Sequence, residues 1–245
     1  LVQGWHSFNT RMLDDLYPIE QYVAVAKTGG LELSIEENPY IWARMLRGNV
    51  CKANVFLEKG TFGKQYWKMV KGKAAPNFKG PGLEKILKSV SEPDRMRDFS
   101  IYLTSKRSVE LSAKEIKTGI PKADALLAIK ELEIKNPDFP EITKSLYKYQ
   151  DDLLDYAQEM GLISKTLVKR LRKYEAYVPF QRVFEEIQAR GFMGKKMASI
   201  ATPIKRIKGS ERPIINPLES IVKNTHLIIN AADRNEVGIM MANIA

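Results

Sequence analysis

The sequence predicts an all-α fold, an irregular array of about 9–11 helices that includes two basic irregular segments. Three observations support this prediction. Apolar residues recur at three- and four-residue spacing along most of the 245-residue chain, no run alternates strictly between apolar and polar residues, and helix start and stop signals bound the periodic runs. With 44% hydrophobic and 28% charged residues, the chain has the composition of a globular protein with a sizeable core.

Prolines, glycines and capping residues mark the ends of the periodic runs. In chain order, the predicted helices cover 12–26, 40–59, 82–89, 93–107, 121–135, 140–160, 165–174, 180–190 and 218–245. In the first run, Pro18 is expected to kink or split the apolar stripe, and Gly29 with Gly30 ends it. Ser34 and Glu37 have the spacing of a capping box ahead of the second helix.

The segment 60–82 separates the second predicted helix from the third. It holds five of the fifteen glycines and two of the twelve prolines, together with lysines and aromatic residues. Because glycine and proline interrupt regular structure, these residues predict a basic loop with one short helical turn.

The run over 140–160 has the clearest helical periodicity in the chain. Its apolar stripe consists of Ile142, Leu146, Tyr149, Leu153, Leu154, Tyr156 and Ala157. Gly161 stands where a glycine commonly ends a helix, and Ser164 can cap the short basic helix that follows. Residues 191–213 predict a second irregular basic segment, and Asn216 with Pro217 precedes the last helix.

The helices are expected to form two parts. Residues 1–120 make an N-terminal helical part that contains the basic loop 60–82, and residues 121–245 make a C-terminal helical part. The chain begins without an initiator methionine and ends inside an apolar helical run, so both parts are expected to belong to a longer polypeptide. No apolar run approaches the roughly 20 residues of a membrane-spanning helix, so no membrane span is predicted.

The formal charge of +10 is unevenly distributed. Lys and Arg outnumber Asp and Glu by 13 to 6 in residues 60–117 and by 13 to 4 in residues 164–212, whereas residues 118–163 hold 5 against 9. Two basic blocks of this size favour contact with nucleic acid, anionic lipid or an acidic partner. The alternative is that they form an ordinary solvated surface.

The basic blocks provide the candidate nucleic-acid contacts. In the first block, lysines alternate with aromatic residues, a mixture that binds phosphates and offers rings for bases to stack on. The candidate residues are Lys64, Lys68, Lys71, Lys73, Lys169, Arg170, Arg172, Lys173, Lys195, Lys196, Lys205, Arg206 and Arg212. No helix-turn-helix or zinc-finger spacing is present, so binding is expected to be independent of sequence. The alternative places the aromatic rings in the core and the lysines in solvent.

The sequence contains few residues that carry catalytic chemistry. The histidines are His6 and His226, the single cysteine is Cys51, and none of them has a partner at metal-ligand spacing. Asp151 and Asp155 lie four residues apart and can share a hard cation, although an exposed polar face behind the buried stripe is the simpler interpretation. We therefore predict no catalytic residue, no metal and no cofactor.

Six short motifs resemble, in the same order, the helical domains associated with large polyvalent proteins of tailed bacteriophages and conjugative elements. Together they span most of the chain. They are 14–19 (DDLYPI), 38–48 (NPYIWARMLRG), 153–164 (LLDYAQEMGLIS), 177–182 (YVPFQR), 208–219 (KGSERPIINPLE) and 234–238 (RNEVG).

The resemblance implies a non-catalytic helical structural module inside a very long phage protein, located in the virion and then in the host cytoplasm. Its partners would be other domains of the same chain, and virion proteins or copies of itself. The two basic blocks add DNA, bound without sequence preference, as an expected partner. Two alternatives stay open. In the first, the chain is a protein–protein assembly element without nucleic-acid binding. In the second, it is part of an enzyme whose catalytic domain lies elsewhere.

Overall fold

The computed structural model describes residues 15–46, 49–115, 118–173 and 217–245. Within these ranges the protein is mainly helical, with one two-stranded antiparallel sheet. The described helices are α1 (Tyr17–Thr28), α2 (Pro39–Met45), α3 (Asn49–Glu58), α4 (Leu83–Leu87), α5 (Pro93–Ala113), α6 (Lys122–Lys135), α7 (Phe139–Glu159), α8 (Lys165–Leu171) and α9 (Pro217–Asn243). The strands are β1 (Gly60–Val70) and β2 (Lys73–Pro81).

Prolines stand in the first turns of five helices, and Pro217 is the first residue of α9. Pro18, Pro39, Pro93 and Pro140 occupy this position in α1, α2, α5 and α7. The first turn tolerates proline because its N–H groups have no partner within the helix, and the fixed φ of proline suits the start of a helix. Pro18 therefore lies in the first turn of α1 and does not kink this helix, and the start of the predicted run, 12–14, lies outside the described residues.

The second predicted helix differs from the structure, which has α2 and α3 in place of one helix over 40–59. The capping box of Ser34 and Glu37 is present, but it closes a single 3-10 turn over Ile35–Glu37. The side chain of Asn38 caps α2 by accepting a hydrogen bond from the Tyr40 N–H at 3.0 Å. Two successive capping residues thus begin two successive short elements.

The end of α7 and the start of α8 agree with the prediction. Gly161 has φ +68°. Its N–H donates to the Gln158 carbonyl and the Leu162 N–H donates to the Ala157 carbonyl, both at 2.9 Å, which is the hydrogen-bond pattern of a Schellman motif. The Ser164 hydroxyl accepts from the Leu167 N–H at 3.2 Å and caps α8.

The predicted irregular loop 60–82 is wrong, because this segment forms the antiparallel pair β1–β2. The strands pair from Gly60 with Pro81 to Val70 with Lys73, and the register shifts twice between Thr61 and Trp67. These irregularities break the two-residue alternation that would have indicated a strand. The strand-breaking residues of the segment are accommodated because a two-stranded sheet has only edge strands.

Two hydrophobic clusters share helix α7. Leu146 and Tyr149 belong to a cluster with residues of α4, α5 and α9, and Leu153 and Tyr156 belong to one with residues of α3, β1, α8 and α9. All seven residues of the predicted apolar stripe are buried, as expected. Both clusters contain residues from both sides of position 120, so hydrophobic contacts connect the two predicted parts, 1–120 and 121–245. The division into these two parts stays a prediction.

Two sequence predictions lie outside the described residues, the helix over 180–190 and the basic segment 191–213. Among the helices of the described ranges, none has a long enough apolar stretch to cross a membrane. The predicted helical character is therefore confirmed for 15–46, 49–115, 118–173 and 217–245. The predicted number of helices over the whole chain stays a prediction.

Candidate nucleic-acid interface

The turn of the hairpin is formed by Lys71 and Gly72. Their φ angles are +50° and +75°, and positive φ at both central residues is the mark of a type I′ turn. This turn matches the right-handed twist of the flanking strands and is the preferred two-residue connection of a hairpin. Glycine adopts positive φ without strain, whereas lysine at this position is less favourable. The sequence thus places a lysine at the extreme tip.

The outer half of the hairpin, residues 67–76, is called the distal arm below. It is paired without interruption, with Trp67 opposite Pro76 and Val70 opposite Lys73. Directly opposed residues point to the same side of a sheet, and successive residues point to opposite sides. One face therefore carries Trp67, Met69, Ala74 and Pro76, and the other carries Lys68, Val70, Lys73 and Ala75.

Both faces of the distal arm are open to solvent. Trp67 is 56% exposed and Met69 is 71% exposed, and Ala74 and Pro76 beside them are also exposed. The side chains of Lys68, Lys71 and Lys73 are exposed as well. The arm is consequently an amphipathic ribbon that has an uncovered apolar face, a basic face and a lysine at the tip.

The base of the hairpin, residues 60–64 and 78–81, is held by carboxylates of α7 and α9. The Thr61 hydroxyl donates to Asp152 Oδ2 at 2.6 Å. Glu159 accepts from the Lys64 N–H at 2.8 Å and pairs with Lys79 Nζ at 2.5 Å. The Lys64 ammonium forms an ion pair with Glu236. Lys64, a predicted nucleic-acid contact, is therefore engaged within the protein, while its side chain stays partly exposed.

Glu159 titrates under the influence of these neighbours. Burial raises the pKa of its carboxyl group, but hydrogen bonds from Lys79 and Lys64 and attraction to the Lys79 charge outweigh burial, so the net pKa is lowered. Close approach is possible because a glycine faces each carboxylate. A Cβ on Gly63 would overlap Glu159 Oε2, and a Cβ on Gly80 would lie 2.8 Å from Asp152 Oδ2.

A series of aromatic contacts connects the core to the arm. Ring centroids are 4.4 Å apart for Phe56 and Phe62, 4.6 Å for Phe62 and Tyr66, and 4.8 Å for Tyr66 and Trp67. The sequence left two interpretations of the aromatic residues, rings available for stacking on bases and rings packed in the core, and each fits part of the segment. Phe62 is buried in the core, whereas Trp67 and Phe78 are exposed.

The predicted contacts on and after α8 are in different environments. The Arg172 guanidinium donates to Asp155 Oδ1 at 2.8 Å and to Asp151 Oδ1 at 3.3 Å. Burial lowers the pKa of Arg172, but attraction to the two carboxylates outweighs it and raises the pKa. The two aspartates therefore pair with an arginine. Lys169, Arg170 and Lys173 are exposed, and the Lys173 carbonyl accepts from Lys114 Nζ at 3.0 Å.

Helix α7 brings α8 and the base of the hairpin near each other. Asp155, which binds Arg172, and Glu159, which binds Lys79, are four residues apart on this helix. Residues at this spacing are neighbours on a helix surface. The remaining predicted contacts lie outside the described residues; they are Lys195, Lys196, Lys205, Arg206 and Arg212.

A buried polar set joins α3, α7 and α9, and no sequence motif pointed to it. Lys52 Nζ lies 2.8 Å from Asp233 Oδ2 and 3.1 Å from the Tyr156 hydroxyl, which itself donates to Asp233. Burial, with the negative charge of Asp233, raises the pKa of the Tyr156 phenol far above its usual range. The phenol therefore stays protonated. Only the spatial arrangement reveals the set, because Lys52 and Asp233 are 181 positions apart in sequence.

Within the described ranges, no group of three or more His, Cys, Asp and Glu side chains is arranged to hold a metal ion. Asp151 and Asp155 carry the nearest sequence signal, and both bind Arg172.

Comparisons with protein-family models, with curated proteins and with solved structures found no match to this chain. The resemblance to helical domains of phage polyvalent proteins accordingly rests on the six sequence motifs. Of these, 153–164 ends α7 and caps α8, whereas 177–182 lies outside the described residues.

Proposed function

We propose that this chain is a non-catalytic helical structural module of a large phage virion or genome-delivered protein, and that it binds nucleic acid without sequence preference. The phage assignment is supported by the order and content of the six motifs. It places the protein in the virion and then in the host cytoplasm, beside other domains of the same long chain. The proposed module also includes the predicted helix over 180–190 and the predicted basic segment 191–213.

One observation carries the nucleic-acid proposal, the exposed lysines of the distal arm. Lys68, Lys71 and Lys73 lie within six consecutive positions, and none forms an ion pair with a carboxylate of the described residues. By contrast, Lys64, Lys79 and Arg172 are all paired. Lysines that are not neutralised by the protein can replace the counterions of a phosphate backbone, which supplies affinity that does not depend on sequence.

Fluorescence anisotropy with labelled random-sequence duplex and single-stranded DNA tests the proposal. Between about 50 and 200 mM salt, affinity is expected to fall steeply, because each phosphate contact adds about 0.9 to the slope of log K against log salt for a duplex. The triple variant Lys68→Glu, Lys71→Glu, Lys73→Glu is expected to lose at least about three contacts and to reduce that slope by roughly 3.

A matched control has the same change in net charge elsewhere. Lys122→Glu, Lys130→Glu, Lys144→Glu replaces three exposed lysines of α6 and α7. If the control weakens binding as much as the arm variant does, net charge and not the arm is responsible. Absence of binding to either DNA at the lower salt concentration would refute the nucleic-acid part of the proposal.

The alternative, a protein–protein assembly element, is favoured by a different surface. Leu127 and Ile134 of α6 are 58% and 73% exposed and lie seven residues apart, so they share one helix face. Sedimentation velocity tests this alternative: concentration-dependent association of the chain that Leu127→Ser with Ile134→Ser abolishes would support an assembly role.

A further inference from the structure

The uncovered apolar face of the distal arm is a feature that phosphate binding does not explain. Trp67, Met69, Ala74 and Pro76 are all exposed on one face, while the lysines that bind phosphate occupy the other face and the tip. Clustered apolar side chains in water usually mark a surface that another molecule covers. The occupant must match both the apolar face and the positive charges on the opposite face and at the tip.

The position of the lysines indicates what this occupant is. Lys68 belongs to β1, Lys73 to β2 and Lys71 to the turn, so positive charge is available from both strands and from the tip. A complementary partner presents apolar surface between two lines of negative charge. Both grooves of a duplex have this arrangement, with base pairs between two phosphate backbones, and proteins place β-ribbons in either groove.

The side-chain types favour insertion between base pairs over simple stacking on a single strand. Methionine and proline are among the residues that minor-groove-binding proteins insert as wedges between base pairs, whereas single-strand binding relies on several aromatic platforms. The distal arm has one aromatic side chain, Trp67, together with Met69 and Pro76. Its apolar face is therefore better suited to an opened base step.

Resting on the proposed nucleic-acid binding, we infer that the apolar face of the distal arm is a wedge for duplex DNA, and that Met69 and Trp67 enter a base step whose stacking is already interrupted. The substrate class is a mismatched, nicked or sharply bent duplex. An intact duplex binds through the lysines alone, because unstacking an intact step costs free energy that a damaged step does not require.

The anchored base of the hairpin supports this role. Thr61, Lys64 and Lys79 fix both strands to α7 and α9 through Asp152, Glu159 and Glu236. A ribbon that is ordered before binding loses less conformational entropy when it enters a groove. The wedge is thus held in position before DNA arrives.

The test compares duplexes of one sequence that differ only in the central step: one intact, one nicked and one with a two-base mismatch. A single strand of the same sequence and anionic phospholipid vesicles are measured beside them. Binding of the complete chain is measured by anisotropy at about 50 mM salt. We expect about tenfold tighter binding to the mismatched duplex than to the intact one, which corresponds to about 1.4 kcal/mol. A 2-aminopurine beside the mismatch should become brighter on binding, because its unstacking relieves quenching.

Two variants separate the wedge from the phosphate contacts. Met69→Ala and Trp67→Ala are each expected to bring the ratio of the two affinities towards one while leaving affinity for the intact duplex within about twofold. The triple lysine variant described above should weaken binding to both duplexes by the same factor. Val25→Ala, at an exposed apolar position of α1, is the control and should change neither affinity.

The outcomes distinguish the inference from the function on which it rests. If no DNA is bound at the lower salt concentration, the proposed function fails. If all duplexes are bound equally and the two arm variants change nothing, only the wedge is refuted. Trp67-dependent binding that is tightest for single strands, or stronger for anionic phospholipid vesicles than for any DNA, also refutes the wedge and identifies a different occupant.

Discussion

The base of the hairpin and its distal arm belong to the same two strands but have opposite environments. In the base, Thr61 and Phe62 are buried and charged groups are paired with α7 and α9. In the distal arm, Trp67, Met69 and the lysines are exposed. This contrast indicates that the base contributes to stability, while the arm is available for binding. Substitutions in the two regions should therefore affect different measurements.

The strongest test compares one aromatic residue from each region. Phe62→Ala removes a buried ring and should lower the free energy of unfolding by about 3–5 kcal/mol, whereas Trp67→Ala, at a half-exposed position, should cost about 1 kcal/mol or less. Urea denaturation followed by circular dichroism measures both. Equal losses would show that the arm is also part of the stable core, and would contradict the division.

A pH titration sharpens the comparison at the base. The pKa of Glu159 is lowered in the folded protein, so the unfolded chain binds more protons as the pH falls through about 4.5, the usual value for Glu. The stabilisation by Glu159 is therefore present above this pH and is lost as the pH falls through the lower folded pKa.

The variant Glu159→Gln should flatten the dependence of the free energy of unfolding on pH between about 5 and 3, and should cost less than about 1 kcal/mol at neutral pH because the ion pair is partly exposed. Glu141→Gln, on the exposed first turn of α7, controls for the loss of one carboxylate. If the pH profile of Glu159→Gln superimposes on the wild-type profile, Glu159 does not contribute to the pH-dependent stability of the base.

The smallest expected effect concerns the tip, where stability and binding should change in opposite directions. Lys71 has φ +50°, and asparagine is preferred at this position of a type I′ turn. Lys71→Asn should therefore raise the free energy of unfolding by about 0.5 kcal/mol, while it reduces the slope of log K against log salt for duplex binding by about 1. Thermal unfolding and salt titration measure the two effects. If the free energy of unfolding and the slope for duplex binding both rise, turn geometry, and not charge, controls binding.

The helices could be predicted from sequence because their signals are local. Pro93, Ser164 and Gly161 each act within a few residues, and each marks a helix end where it was expected. The hairpin could not be predicted in the same way. Two register shifts obscure its alternation, and its turn is Lys71-Gly72, which lacks the Asn-Gly or Asp-Gly signature of a type I′ turn.

The lysines of the hairpin were found from composition, but the ion pairs that Lys64 and Lys79 form at its base were not. Lys64 pairs with a residue 172 positions away, and no spacing rule connects such distant residues. Asp152 is next in sequence to Asp151, for which an exposed polar face was predicted, yet Asp152 is buried and binds Thr61. A helix with neighbours on more than one side buries more than one stripe, so periodicity alone cannot assign every polar position.

The position of α7 in both hydrophobic clusters has a consequence for the dynamics of the native state. Opening either cluster removes neighbours from part of this helix, so the two clusters cannot separate without exposing α7 between Leu146 and Leu153. Backbone amides in this stretch should therefore exchange with deuterium only through global unfolding, more slowly than those of α1, and their exchange should report the full free energy of unfolding.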